Sequence, residues 1–173
     1  MKKSFGKYAF IMLFLLAGLY TDRYAKKWAF HHLKGKPAVL TIKNFLELGC
    51  IENRGMVFGI FNKSDHPHAF ISIVTWMRVA VSIAVGIFIC IKRRMPFFFL
   101  LPLLFIWMGA VGNLIDSFML GYVIDFIHIH FGNIIDWPFF FNIADAYICI
   151  GAGLLVLNGL FNPEKRIIAA PEN

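Results

Sequence analysis

Between Gly121 and Gly151 the chain reads GYVIDFIHIHFGNIIDWPFFFNIADAYICIG, an apolar stretch with three aspartates, Asp125, Asp136 and Asp145, and no lysine or arginine. A carboxylate is costly to bury alone, so each needs a proton, a counter-charge or hydrogen bonds. Two aspartates brought together in a poorly solvated site cannot both ionise cheaply, and one proton is then shared across the pair. Such a pair suits peptide hydrolysis, because the ionised carboxylate takes a proton from water while the neutral one polarises the scissile carbonyl. No serine or cysteine nucleophile is required. Paired aspartates equally suit proton or cation movement through a small membrane transporter or channel, although four spans without a repeated half fit that role less well. A third chemistry is metal binding by Asp125-x-x-His128-x-His130, whose histidines share a face on a strand. That pattern lacks a third ligand at a fixed spacing and an acid–base glutamate, so it is not read as a metal site.

Elements must hold these side chains. Of 173 residues, 59 % are hydrophobic and 20 are Phe, against about 45–50 % apolar residues in a soluble domain. The formal charge of +7 forms no basic stripe for nucleic acid; Lys and Arg instead flank apolar segments, as they do beside a bilayer. The expectation is an all-α integral membrane protein, one membrane domain over residues 1–173. Four transmembrane helices are placed at about 8–30, 70–91, 97–115 and 139–161, each near the roughly 20 residues that cross a bilayer. The connection at about 31–69 is predicted to be β-rich, because Val39 to Phe61 mixes β-branched and aromatic residues with turn signals at Leu48-Gly49 and Asn53-Arg54-Gly55. Residues 116–138 read as an active-site loop.

The opening run MKKSFGKYAFIMLFLLAG has the make-up of a secretion signal, but Leu19 stands where a lipoprotein processing site has Cys, and the first span is expected to be retained. Cys50, Cys90 and Cys149 are too scattered for a disulfide framework or a metal knuckle. The contrast between Lys92-Arg93-Arg94 and the baseless connection after Ile115 predicts cytoplasmic termini and outward-facing larger loops.

Within the apolar segments a few polar residues stand out. Asp22 and Lys26 lie four apart on one helical face, either an interfacial pair or an electrostatic brace. Arg78 either snorkels or serves as a buried cation. Asn113 and Asp116 end the third span, as caps or as site residues. Asn142 lies three residues before Asp145, and Asp125 twenty before it, in a loop hydrophobic enough to fold back on the helices. Asp145 is either bonded to a neighbouring helix or paired with Asp125.

These residues, in order, resemble the lipoprotein signal peptidases (signal peptidase II) of bacteria. Asp22-x-x-x-Lys26 looks like the family's first box, and Asn53-Arg54-Gly55-Met56-Val57-Phe58-Gly59 is similar to its N-x-G-A-A-F box, with bulkier residues at 56 and 57. Gly109-Ala110-Val111-Gly112-Asn113-Leu114-Ile115-Asp116 matches the next box, Gly121-Tyr122-Val123-Ile124-Asp125-Phe126-Ile127 resembles G-x-V-x-D-F, and Phe141-Asn142-Ile143-Ala144-Asp145 matches F-N-x-A-D. The resemblance implies an aspartyl endopeptidase of the bacterial cytoplasmic membrane that cuts diacylglyceryl-modified prolipoproteins before the lipidated cysteine. On this resemblance Asp125 and Asp145 are the catalytic pair, near the outer face, with no metal or organic cofactor. Asp22, Lys26, Asn53, Gly55, Gly109, Asn113, Asp116 and Asn142 are expected to support them or the substrate. Membrane lipids and globomycin-like cyclic peptides are the other expected partners, and nucleic acid is not. Ser117 departs from the family, which usually has Arg there; Arg54 and Arg78 are the candidate replacements. Asp136, outside the matched boxes, is expected at the surface.

Overall fold

The computed structural model describes residues 2–43, 45–55, 68–92, 95–131, 135–136 and 139–161. In chain order these form α1 (Lys2–Leu33), β1 (Val39–Ile42), β2 (Leu46–Asn53), α2 (His68–Ile91), α3 (Phe97–Leu120), β3 (Val123–Phe131), β4 (Ile135–Asp136) and α4 (Ile143–Phe161). Ala69–Ile91, Phe97–Leu120 and Ile143–Phe161 are long and apolar enough to cross a membrane. They turn large apolar side chains outward, among them Trp76, Ile83, Phe98, Val156 and Leu160. Water would penalise such a belt, whereas lipid does not. The fourth long helix, α1, also exposes Phe10, Leu13 and Leu16.

The strands form one antiparallel sheet in the order β1-β2-β3-β4. This corrects the expectation of an all-α protein whose β-structure is confined to the connection after the first helix. Half of the strands come from the segment between α3 and α4 that reads as a loop. The local cause is visible in VIDFIHIHF, where Ile and Val recur along a run too short for a span, a composition that fits a half-buried pleated surface. Ala29 and Leu33 at the end of α1 pack with Phe126 of β3, joining the sheet to the helices.

The end of α3 also lies later than expected. It runs to Leu120 and stops at Gly121, whose φ of 76° is the left-handed cap conformation that glycine adopts without strain. Asn113 and Asp116 are therefore inside the helix and do not terminate it. Small residues on α3 let α4 and α1 lie close to it. A Cβ at Gly109 would collide with the carbonyl oxygen of Ala144, and one at Gly112 would sit 2.9 Å from Asp22 Oδ2. Pro102, inside α3, cannot donate to the carbonyl of Phe98 one turn back. Asn158 of α4 fills that gap, its Nδ2 donating to Phe98 O at 2.9 Å.

Candidate active site

Among the described residues eleven polar or charged ones are buried, and nine of them lie where the end of α1, the end of α3, the start of α4 and strands β2 and β3 meet: Asp22, Lys26, Asn53, Asn113, Asp116, Ser117, Asp125, Asn142 and Asp145. So many buried polar groups are tolerable only in a connected network.

The network starts at the N-terminus of α4. Asn142 precedes the helix, its Oδ1 accepting from Asp145 N–H at 3.0 Å while its own N–H donates to Asp145 Oδ2 at 3.2 Å. This reciprocal capping arrangement satisfies two otherwise orphaned donors and pins the Asp145 carboxylate at the helix mouth. Asn142 therefore acts from outside the helix, not from the turn that the sequence spacing suggests. Its Nδ2 reaches Asp125 Oδ1 at 2.6 Å and Asn113 Oδ1 at 3.1 Å. Asn113 Nδ2 in turn donates to Asp145 Oδ1 at 2.8 Å. Asp125, 1 % exposed, and Asp145, 2 % exposed, are thus joined through two asparagines.

Asp125 receives a second donor, Asn53 Nδ2, at 2.8 Å. The Asn53 amide is oriented from behind, because its Oδ1 accepts the Gly55 N–H at 2.8 Å, an Asx turn across the end of β2. Burial, and after it the neighbouring Asp145 carboxylate, push the Asp125 carboxyl up from 3.8 to about 7.

Lys26 anchors the other side. Its Nζ lies 2.8 Å from Asp22 Oδ2, 3.0 Å from Asp116 Oδ2 and 2.9 Å from Asn113 Oδ1. Both members of the Asp22–Lys26 pair are buried, so this is not an exposed interfacial pair. Asp22 Oδ1 accepts from Ala144 N–H at 2.9 Å, a second carboxylate on the first turn of α4. Arg23 pairs with Asp116 as well. Sequence reading missed Arg23: it follows Asp22 directly, but its partner is 93 residues away.

Arg78 donates to Ser117 Oγ at 2.8 Å and to the Gly55 carbonyl at 2.6 Å, so it is engaged by protein groups and does not snorkel. Arg54 lies by Glu52 at 3.3 Å. Of the two candidate replacements for a family arginine at 117, Arg78 is the one that reaches that position. An apolar cavity of about 200 Å³ between α2, α3 and α4 has Val74, Met77, Val81 and Ile148 in its wall beside Arg78 and Asn113.

The histidines of the Asp125-x-x-His128-x-His130 run are not part of this network. Side chains alternate along a strand, so residue 125 and residues 128 and 130 leave β3 on opposite faces. The Asp136 side chain and residues 56–59 lie outside the described residues.

Against known proteins, the family described as signal peptidase (SPase) II matches residues 14–161. The chain belongs to the signal peptidase II family. Lipoprotein signal peptidase of Clostridium novyi is 36 % identical over 148 residues, covering 84 % of this chain and 94 % of that protein. The Fusobacterium nucleatum lipoprotein signal peptidase is 33 % identical over 161 residues, covering 91 % and 90 %. A solved bacterial membrane enzyme superposes with a TM-score of 0.72 at 25 % identity over 95 % of both chains. Membership of the signal peptidase II family, together with the apolar helices, makes the chain a membrane-embedded, multi-pass peptidase of lipoprotein processing. It does not favour the transport reading.

Proposed function

We propose that the chain is an aspartyl endopeptidase in which Asp125 and Asp145 share one proton and cut the signal peptide from a diacylglyceryl-modified prolipoprotein, just before the lipidated cysteine. The observation that carries this reading is the pair itself, two buried carboxylates linked through Asn113 and Asn142. The ionised carboxylate takes a proton from the attacking water, and the neutral one donates to the carbonyl oxygen. Asn53 and Asn142 offset the charge on Asp125, while Asn113 and the Asn142 N–H do so for Asp145. Which carboxyl holds the proton belongs to the pair. Asp22, Lys26, Asp116 and Arg23 form a balanced charge group, two acids and two bases, behind the pair.

The cavity beside Asn113 suits an apolar part of a lipidated substrate entering sideways from the bilayer. Arg78 supplies a guanidinium beside Ser117, the position at which the family resemblance leads one to expect an arginine. On this reading α1 is the fourth span, the protein lies in the bacterial cytoplasmic membrane with both termini inside, and the sheet sits over the site at the outer face, where globomycin-like cyclic peptides compete with substrate.

The test is cleavage of a diacylglyceryl-modified prolipoprotein by the purified protein in detergent with EDTA. Wild type is expected to cleave, and Asp125→Asn and Asp145→Asn each to lose activity by at least about 10³-fold, on the scale seen when one member of a catalytic unit is removed. Near-wild-type cleavage by either variant would remove that residue from the pair.

A further inference from the structure

A second cluster of chemically capable side chains sits on the sheet, away from the two aspartates. His128 and His130 are two apart on β3 and so share a face, with ring centroids 4.2 Å apart. The register partner of His128 on β2 is Glu47, whose Oε2 lies 3.3 Å from His128 Nδ1 and 3.2 Å from His130 Nε2. Phe140 stacks on the His128 ring at 4.8 Å with an interplanar angle of 22°, fixing its orientation. The side chains are 29 % exposed for Glu47, 12 % for His128 and 19 % for His130, while the His130 Nε2 atom itself is turned inward, away from solvent.

We propose that Glu47, His128 and His130 bind one divalent transition-metal ion, of which zinc is the representative, at a site separate from the aspartates and not required for peptide cleavage. Three ligand atoms, all within 4.8 Å of one another, converge from two adjacent strands. Around a tetrahedral ion with bonds of about 2.0–2.1 Å, ligand atoms stand roughly 3.3 Å apart, which is the separation of both Glu47–imidazole contacts. The two imidazole nitrogens lie within 4.8 Å of each other, and a water takes the fourth position. Two imidazoles and one carboxylate select zinc, copper or nickel; calcium and magnesium need more oxygen ligands than this cluster holds. The third ligand that the sequence pattern lacks comes from the neighbouring strand, where spacing cannot reveal it. A bound ion ties β2 to β3 at the Glu47↔His128 register, at the opposite end of β2 from Asn53 and three residues along β3 from Asp125.

The experiment uses untagged, full-length protein in detergent, stripped with EDTA and desalted, then titrated with Zn²⁺ in competition with a chromophoric chelator, with Mg²⁺ as control. One equivalent of zinc per chain, a higher melting temperature with zinc than with magnesium, and visible bands of a tetrahedral Co²⁺ complex are expected. His130→Ala and Glu47→Gln are expected to weaken zinc binding at least tenfold while eluting as monodisperse protein. Absence of stoichiometric zinc binding in the wild type, or affinity unchanged in both variants, would overturn the proposal; a Glu–His hydrogen-bonded cluster alone is then what remains. Because cleavage is assayed separately in EDTA, failure here leaves the peptidase reading untouched, and the reverse also holds.

Discussion

Asp125 is buried with its usual counter-cation replaced by amide donors, and its carboxyl is pushed up to about 7 by burial first and by Asp145 second. The folded state therefore holds a proton that the unfolded chain releases near 3.8, and stability declines as pH rises from about 3.8 to about 7. The penalty is absent below that window and complete above it. Asp125→Asn removes it, so the variant is expected to melt higher than wild type at pH 8 by at least a few degrees, about 2–4 °C per kcal/mol for a chain of this size, with little difference at pH 4. A variant no more stable than wild type at pH 8 would count against a strained carboxyl. The same proton governs the chemistry, because a pair that has lost it offers no acid. Cleavage is expected to fall as pH rises through about 7, and a kcat/KM profile flat from pH 6 to 9 would contradict proton sharing. The residue types of this site were legible in the sequence, since acids and asparagines in apolar runs are rare and their boxes fall in order. The wiring was not. Arg23 escaped notice and Arg78 stood undecided between snorkelling and a buried cation, because their partners, Asp116 and Ser117, are distant in the chain.

The elements place these residues through two devices, close helix contact and helix capping. Gly109 lets the first turn of α4 lie on α3, so that Asn113 meets Asp145. Gly109→Ala is expected to separate the helices, lowering the melting temperature and reducing cleavage by at least tenfold, whereas Gly153→Ala, with open space around it, serves as the neutral control. Equal behaviour of the two variants would show that α3 and α4 have room to spare. Elsewhere on the same contact, Asn158→Leu leaves Phe98 O unsatisfied and is expected to cost about 1 kcal/mol. In a Pro102→Ala background the helix supplies its own donor to that carbonyl, and the cost should shrink; an undiminished cost there would separate Asn158 from the proline gap. The helices themselves were legible from apolar length and flanking charge. Their ends were not, because α3 continues to Gly121 through Asn113 and Asp116, polar residues that a lipid-facing reading treats as stops and that a buried network accommodates.

Across the whole molecule, the buried cation Lys26 joins two helices: on α1 it contacts Asp22 of its own helix, and it reaches Asp116 and Asn113 of α3. Truncating one side of a buried ion group leaves uncompensated charge, at about 3–5 kcal/mol. Lys26→Met is therefore expected to be strongly destabilised in detergent, and Lys26→Met with Asp22→Asn to recover part of the loss; a single variant as stable as wild type would mean that water reaches the acids. By itself the sequence determined the membrane character of the apolar helices, through hydropathy and charge placement, and the family, through five ordered boxes whose aspartates and asparagines it names. Those are properties of residue type and local spacing, which a linear chain carries in full. Only the tertiary structure decided that β3 joins β2 in a sheet beside the site, that Asn142 bridges Asp125 to Asn113, that Arg78 meets Ser117, and that Glu47 faces two histidines 81 and 83 positions further along the chain. Each of these is a meeting of residues far apart in sequence, set by strand register and by helices packed through glycine, and no local period encodes it.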